Sequence, residues 1–509
     1  MVQPVEAEIK LAASPAMLEQ LRTHPMLVGT DHATTLVTTY FDSTDGRLRR
    51  AGVALRIRDG AKGREQTMKL VPPGGSSVRR GEWNVATASD VPEPRGFPAK
   101  ARTALVRLLD GAALEPVATT RIERTTRRLH HGGSAIEIAF DLGTIEVGER
   151  EARVCELELE LVEGRFADIL ALTLQLPLGP ELSWSVNSKA ERCHALAFDS
   201  RPAAALARPV KLTPGMDVAQ GFHAIAWNCL DQLLANYPLV VESGDPESLH
   251  QSRVAIRRLR AAFSLFGDVV DDETSPILRA ELKAVAKGLS PARDLQVLLS
   301  HIDPAARSGK HTISELQGHL GTRRDAAMQS AQALLAAGSF QRLLFEIAGW
   351  IEDGERHTRK GDTGGNQPLA SFAARVLSRL RRKLRVRDSL ADMPDAAQHR
   401  LRIDAKKLRY AGEFLAPLFL DKASVKHRRA FARTLERLQN SLGELNDLAV
   451  ASSGRKALFE GLEPITAARL AAQFDSLLDV RGNSRRKLVK AAERSMTKVA
   501  DVPAWWKAG

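Results

Sequence analysis

Charged residues alternate with apolar residues in several short segments of the first half of the chain. In the first such segment, Val5–Leu11, the residues Glu6, Glu8 and Lys10 occupy every second position. In an extended strand these three side chains share one face, each about 6–7 Å from the next. Carboxylate oxygens bind Mg²⁺ and Mn²⁺, whereas ammonium and guanidinium groups bind phosphate oxygens. The segment therefore fits either a solvated sheet edge or a site for a metal-bound phosphate compound.

The same alternation recurs in later segments. Leu55–Arg58 places two arginines on one face, and Cys155–Leu161 places three glutamates on one face and three leucines on the other. In an open sheet such charges would form surface ion pairs, which contribute only about 0–1 kcal/mol each. We therefore favour a closed barrel with the apolar sides packed outward against helices and the charged sides facing the interior. Interior charges of both signs need partners, and a polyphosphate with a divalent metal supplies them.

These segments together resemble the CYTH domain, the family of triphosphate tunnel metalloenzymes. Glu6-Ala7-Glu8-Ile9-Lys10 is similar to the E-x-E-x-K signature of that family. The resemblance continues in family order across about residues 1–200, through Leu55-Arg56-Ile57-Arg58, Lys69, Arg80-Gly81-Glu82, Arg124, Phe140-Asp141-Leu142-Gly143, Glu156-Leu157-Glu158-Leu159-Glu160 and Ser188-Lys189. It implies a closed antiparallel β-tunnel that binds triphosphate compounds.

The resemblance also implies a role for each matching position. The residues expected to hold Mg²⁺ or Mn²⁺ are Glu6, Glu8, Asp141, Glu156 and Glu158. The residues expected to bind the triphosphate are Lys10, Arg56, Arg58, Lys69, Arg80, Arg124 and Lys189. The residues expected to be catalytic are Glu8, Lys10 and Glu158. A carboxylate of Glu156 or Glu158 would orient or deprotonate the attacking water, while positioning and electrostatics supply most of the catalysis.

The excess positive charge of the protein lies in the second half of the chain. Residues 1–205 hold 26 Lys and Arg against 27 Asp and Glu, whereas the remainder holds 47 against 34. The proline-rich residues 201–215 separate the halves, and helical periodicity dominates beyond them. This distribution favours a polyanionic partner for the second half.

Two helical segments about 149 residues apart place four basic residues on one face. The first set is His250, Arg253, Arg257 and Arg260, and the second set is His399, Arg402, Lys406 and Arg409. Each set spans an arc of about 80°, and stacked cations repel unless an anion lies across them. We therefore favour polyanion binding over a solvated surface. On the opposite side we expect a buried apolar stripe, composed of Leu259, Ala262, Phe263 and Phe266 in one segment and of Leu408, Ala411, Phe414 and Leu415 in the other.

This half of the chain resembles the CHAD domain, a histidine-containing α-helical domain that often follows CYTH. His250–Arg260 matches closely, and His399–Tyr410 is the second copy, with Lys406 and Lys407 where the first copy has arginines. The resemblance covers about residues 215–500. It implies that the eight basic residues of the two sets bind inorganic polyphosphate in a groove between the halves.

The predicted fold class is α+β followed by all-α. Residues 1–200 are expected to form the closed antiparallel β-tunnel with flanking helices, and residues 201–215 the linker. Residues 216–509 are expected to form a duplicated helical bundle with pseudo-twofold symmetry, whose repeats cover about 216–358 and 367–500.

The predicted function is divalent-metal-dependent hydrolysis of inorganic triphosphate to diphosphate and phosphate, with polyphosphate bound by the helical half. The alternative is a non-catalytic protein that binds polyphosphate or targets polyphosphate granules. Nucleic-acid binding is disfavoured because aromatic residues make up only 5% and no groove-reading motif occurs. Three cysteines without metal-ligand spacing and no apolar run of 18 residues predict a cytoplasmic protein with no membrane partner, and polyphosphate granules are a second expected location.

Overall fold

The N-terminal part of the protein is a sheet of nine strands. The computed structural model describes residues 5–60, 63–70, 77–200, 202–306, 314–357, 365–384, 389–390 and 393–506. The strands are β1 (Val5–Ala13), β2 (His32–Asp42), β3 (Val53–Gly60), β4 (Gly63–Leu70), β5 (Arg79–Ala86), β6 (Glu115–His131), β7 (Ser134–Val147), β8 (Arg150–Glu163) and β9 (Leu182–Ser185).

Eight of these strands close into an antiparallel barrel. Their order is β5-β4-β3-β2-β6-β7-β8-β1, and β1 pairs with β5 to complete the circle. The closure depends on β1, because Glu6 lies opposite Arg80 of β5 while Lys10 lies opposite Glu158 of β8. β9 adds a ninth strand beside the C-terminal half of β1. The predicted closed antiparallel barrel is confirmed.

Short helices accompany the barrel strands. They are α1 (Pro15–Arg22), α2 (Arg47–Arg50), α3 (Ala99–Leu109), α4 (Phe166–Thr173) and α5 (Lys189–Ala197). The apolar side chains of β3, β4 and β5, such as Leu55, Met68 and Trp83, pack against Ala101 and Leu105 of α3. Burial of this apolar layer holds the opposite, charged face of the same strands toward the barrel interior.

One end of the interior face is apolar, where the alternation of the sequence predicts charged side chains. Leu36, Ile122 and Val154 pack there against Ala190 and Cys193 of α5. Ile122 and Val154 lie on the same face as Arg124 and Glu156, two positions further along their strands, and Leu36 lies opposite Ile122. The difference arises because α5 packs against this end and gives apolar side chains a partner that excludes water.

The C-terminal part is helical. Its helices are α6 (Val218–Ser243), α7 (Pro246–Leu265), α8 (Gly267–Val270), α9 (Ser275–Gly288), α10 (Ser290–Ala306), α11 (Ser314–Ala336), α12 (Gly338–His357), α13 (Leu369–Lys383), α14 (Asp395–Leu415), α15 (Lys422–Leu458) and α16 (Pro464–Asp501). The two basic segments lie in α7 and α14. All eight residues of the predicted apolar stripes are at most 1% exposed, so both stripes are confirmed. In the described part of the chain, no helix has the length and apolar character needed to cross a membrane.

The chain forms two compact units. The first, called the barrel unit, contains 1–208 together with 227–252 and 332–353, and the second, called the helical unit, contains 209–226, 253–331 and 354–509. The barrel unit therefore includes most of α6 and α12, beyond the predicted linker at 201–215. The predicted domain boundaries stay a prediction, since they describe sequence segments rather than these packed units.

Candidate active site in the barrel

Three carboxylates meet on the interior face of neighbouring strands. Asp141 of β7 lies directly opposite Glu156 of β8, and Glu158 follows two positions later on the same face. Each offers one oxygen within 4.8 Å of the others. Asp141 and Glu156 are buried. This arrangement results from the period-two alternation of β8, because a strand can place two glutamates beside one aspartate only at every second position.

Two cations hold this carboxylate cluster together in the structure. Lys189, the first residue of α5, places Nζ 2.6 Å from Asp141 and 3.0 Å from Glu158, and it also contacts Glu156. Arg124 of β6 donates from Nε to Asp141 at 2.7 Å and contacts Glu158 through Nη2. Each cation therefore bridges carboxylates from two neighbouring strands.

The charge balance shifts the pKa values of this cluster. Burial alone would raise the pKa of Glu158, but Lys189 and Arg124 hold it well below its ordinary value. The pKa of Asp141 is lowered in the same way, against the effect of its burial. Conversely, burial would lower the pKa of Lys189, but the surrounding carboxylates raise it. Glu158 and Asp141 are therefore ionised at neutral pH and compensated by fixed cations.

The carboxylate cluster fits a hard divalent cation. Its oxygens already converge on one positive charge, the ammonium of Lys189, and carboxylate oxygens are the usual ligands of Mg²⁺ and Mn²⁺. Of the five predicted metal ligands, the structure brings together Asp141, Glu156 and Glu158. The other two, Glu6 and Glu8, lie on β1 and pair with lysines.

Lys10 links β1 to this cluster. Its ammonium contacts Glu8 and lies 3.7 Å from Glu158. Burial would raise the pKa of Glu8, but Lys10 and Lys69 lower it to about 2. The three predicted catalytic residues Glu8, Lys10 and Glu158 thus form one chain of charges, made possible by the pairing of β1 with β8.

A second charged cluster lies where β1 meets β5. Lys69 of β4 places Nζ 2.6 Å from Glu6 and 3.5 Å from Glu82, and Arg56 of β3 lies 3.7 Å from Glu82. Burial, together with the nearby carboxylates of Glu8 and Glu82, raises the pKa of Glu6. Glu82 is absent from the predicted site. The sequence could have identified it, because Glu82 follows Arg80 by two positions and therefore shares its face of β5.

Two of the predicted phosphate-binding arginines differ from the other cations of the barrel. Among the described residues, neither Arg58 nor Arg80 forms a salt bridge. Arg58 donates from Nε to Thr38 at 3.3 Å, and burial together with Arg56 and Arg124 lowers its pKa to about 10. Arg80 donates from Nη2 to the carbonyl of Val186 at 3.3 Å and is 7% exposed. These are the cations of the barrel most available to an incoming anion.

α5 contributes a further residue that sequence reasoning missed. The helix begins at a capping box in which Ser188 and Glu191 satisfy each other's backbone donors, so that Lys189 starts its first turn. Arg192 lies one turn later on the same helix face and contacts Glu156. The i, i+3 spacing from Lys189 was the signal that could have identified it.

The predicted polyphosphate-binding residues lie on α7 and α14. Arg253 donates to the carbonyl of Leu289 at 2.9 Å and lies 3.7 Å from Asp294, and the guanidinium of Arg409 lies 4.5 Å from the ring of Tyr410. Burial lowers the pKa of Arg253, with further lowering from Arg257, and burial lowers that of Arg260. These cations are therefore less well compensated than those of the carboxylate cluster.

Comparisons with known proteins match two families to successive parts of the chain. The family model for the CYTH domain matches residues 5–194, and the model for the CHAD domain matches residues 224–454. An inorganic triphosphatase from Haemophilus influenzae is 29% identical over 199 residues. That match covers 38% of this chain and spans only 54% of the relative's length. The crystal structure of the CHAD domain from the plant Ricinus communis is 29% identical, covers 58% of this chain and 96% of that chain, and gives a TM-score of 0.50.

Proposed function

We propose that this chain, which carries a CYTH domain followed by a CHAD domain, hydrolyses inorganic triphosphate with a divalent metal and binds inorganic polyphosphate. The observation that supports this proposal most strongly is the convergence of Asp141, Glu156 and Glu158 on one cation inside a closed barrel. The similarity to an inorganic triphosphatase supports the choice of substrate class.

The barrel residues divide into three roles in this proposal. Asp141, Glu156 and Glu158 would hold the metal, which when bound neutralises charge on the transferring phosphoryl group. Arg58 and Arg80 would bind phosphate oxygens, because they have no carboxylate partner among the described residues. Lys10 would help to keep Glu158 ionised, Glu8 would hold Lys10 in place, and a carboxylate of β8 would position the attacking water.

Phosphate release from tripolyphosphate tests the enzymatic proposal. We expect release by the full chain in the presence of Mg²⁺ or Mn²⁺, and loss of that release in Glu8→Ala. Tripolyphosphate, ATP, thiamine triphosphate and long-chain polyphosphate should be compared, because the cations proposed to bind phosphate oxygens do not by themselves select among these compounds. A wild-type protein that binds tripolyphosphate without metal-dependent release would favour the receptor function instead.

We also propose that the basic faces of α7 and α14 bind polyphosphate. The lowered pKa values of Arg253 and Arg260 support this, since an anion across the face would restore the missing compensation. Retention of long-chain polyphosphate in competition with DNA at fixed salt is the test. Stronger retention of DNA would contradict the proposal, and association with polyphosphate granules is expected only if polyphosphate is preferred.

A further inference from the structure

Arg80 is oriented by two strands of the barrel unit. It projects from β5 into the barrel, where its Nη2 donates to the carbonyl of Val186 at 3.3 Å. Val186 directly follows β9. The position of the guanidinium therefore depends on where both β5 and β9 lie, and any element that fixes these two strands also fixes Arg80.

Helices α6 and α12 hold β5 from its outer side. Arg79 precedes Arg80, so its side chain points away from the interior. Its guanidinium donates two hydrogen bonds to Glu352 of α12, at 3.0 and 2.6 Å. Glu352 also accepts a hydrogen bond from Nε1 of Trp227 of α6 at 2.7 Å. A paired, bidentate guanidinium–carboxylate contact is among the strongest that a side chain can make, and it also fixes direction.

Two further contacts hold β5 in place. The guanidinium of Arg79 lies 5.0 Å from the ring centre of Phe166, which in turn contacts the ring of Trp227. Two residues before the strand, Ser77 donates from its backbone N and its hydroxyl to Oδ1 of Asp231 of α6, at 3.0 and 2.6 Å. The start of β5 is thus attached to α6 as well as to α12.

The same two helices hold β9. The backbone N of Trp184 donates to Oε1 of Gln341 of α12 at 3.1 Å, and its carbonyl accepts a hydrogen bond from the hydroxyl of Tyr237 of α6. The indole stacks on Phe345 of α12, with ring centres 4.2 Å apart and planes inclined by 6°. Trp184 is two residues before Val186, the acceptor of Arg80. All of these groups belong to the barrel unit.

We infer that Glu352 is a positioning residue for triphosphate binding, which acts through Arg79 to hold Arg80 in the tunnel, and that Gln341 and Tyr237 hold the Val186 acceptor in the same way. This inference rests on the proposed function. A cation without a carboxylate partner contributes most when it is fixed in advance, because no reorganisation is then needed as phosphate arrives. Helical residues far from the N-terminal segment in sequence would thus complete the phosphate-binding wall.

A double-mutant cycle on the full chain tests the inference. Glu352→Gln keeps the shape of the side chain but removes its charge from Arg79. We expect the KM for tripolyphosphate to rise about tenfold with little change in kcat, as for lost substrate binding. In an Arg80→Ala background, the same substitution should change KM by less than about twofold, because its effect passes through Arg80. A merely structural role would change both backgrounds equally.

Matched variants keep the test decisive. Asp353 follows Glu352 on α12 and forms an ion pair with Arg165. Asp353→Asn removes that pair and should leave KM unchanged. If Glu352→Gln does not fold, Tyr237→Phe, which removes one hydroxyl, replaces it in the cycle. It should raise KM in the wild-type background and not in the Arg80→Ala background.

Calorimetric titration of tripolyphosphate in the same variants gives a second readout. A wild-type protein that neither binds nor hydrolyses tripolyphosphate refutes the proposed function and this inference with it. A functional wild type with an unchanged KM in Glu352→Gln, or an equal rise in both backgrounds, refutes the inference alone.

Discussion

Buried charge is arranged in opposite ways in the barrel and on α7. In the barrel, cations and carboxylates from neighbouring strands contact one another, and carboxylates raise the pKa values of Lys189 and Arg124 against the effect of burial. On α7, burial lowers the pKa values of Arg253 and Arg260. The first region is a balanced site whose members must exchange partners when a ligand enters. In the second, Asp294 lies 3.7 Å from Arg253 but does not offset the effect of burial, so that an anion would add compensation.

The comparison predicts different ligand behaviour for the two regions. A ligand that enters the barrel replaces existing close ion pairs with its own. The affinity for that ligand should therefore depend on how well its charges fit the site and on whether a divalent metal is bound. Binding to a face of like charges releases counterions from the polyanion, so its affinity should depend steeply on salt. Arg58 and Arg80 are exceptions within the barrel, since neither forms a salt bridge among the described residues, and burial and two neighbouring arginines lower the pKa of Arg58 to about 10.

The largest effect is expected when one charge is removed from the balanced site in the barrel. Glu158→Gln removes a charge that contacts Lys189, Arg124 and Lys10. We expect the rate of phosphate release to fall on the order of a hundredfold or more, the scale on which single electrostatic groups in active sites act. Steady-state kinetics with Mg²⁺ or Mn²⁺ measure this loss. Glu163→Gln, on an exposed position of the same strand, is the control; equal activity of the two variants would contradict the assignment.

The second-largest effect concerns the salt dependence of polyphosphate binding by the basic faces of α7 and α14. Arg257→Gln combined with Arg409→Gln removes one cation from each basic face. We expect polyphosphate affinity to fall about tenfold or more and the slope of log affinity against log salt to decrease by about 2, roughly one for each charge. The KM for tripolyphosphate should not change. Binding titrations at several salt concentrations measure both quantities.

A control for this double variant is available on α14. Arg400→Gln changes an exposed arginine one position from His399, and hence outside the basic face. It should alter polyphosphate affinity much less than the double variant does. An equal loss in Arg400→Gln would mean that overall charge, rather than the two faces, determines binding.

A smaller effect tests whether Lys189 compensates the carboxylates in place of a metal. Lys189→Met leaves Asp141, Glu156 and Glu158 with fewer cations. We expect the affinity for Mn²⁺ in the absence of triphosphate to rise about tenfold, and the melting temperature to depend on Mn²⁺ more strongly than in the wild type. Calorimetric titration with Mn²⁺ measures the first. Unchanged Mn²⁺ affinity would show that the ammonium does not compete for the cluster.

The sequence predicted those features that leave a local pattern. The alternation in Cys155–Leu161 predicted β8 and the shared face of its glutamates, because side-chain direction in a strand depends only on position. The helical periodicity around Leu259 predicted the buried stripe of α7 for the same reason. Barrel closure and the placement of charged side chains on the interior face also followed from these patterns.

Contacts between distant segments could not be predicted in this way. The pairing of Lys10 with Glu158 depends on the register of barrel closure, and the pair formed by Arg79 and Glu352 joins positions 273 residues apart. Neither contact imposes a period on the sequence around it. The apolar end of the barrel was missed because it depends on the packing of α5, where Ala190 and Cys193 carry no motif.

The smallest effect concerns a carboxylate of the barrel unit whose hydrogen-bond partner is neutral. Burial raises the pKa of Asp231 from its ordinary value of 3.8 to about 6, although hydrogen bonds from Ser77 act in the opposite direction. The folded protein therefore binds this proton more tightly than the unfolded chain does. Its contribution to the free energy of unfolding is present below about pH 4 and is lost as the pH rises through about 6.

Asp231→Asn should remove this dependence. Both hydrogen bonds from Ser77 end on Oδ1, so the amide oxygen of asparagine can accept them without a buried charge. We expect the variant to match the wild type near pH 4 and to be more stable by about 1–2 kcal/mol at pH 7. Melting temperatures of both proteins between pH 4 and 8 measure the difference. A gap that stays constant with pH would show that Asp231 is already ionised in the folded protein at pH 4. In that case, like Asp141, it would be held ionised by its surroundings. The contrast between carboxylates that contact a cation and Asp231, whose hydrogen-bond partner is neutral, would then disappear.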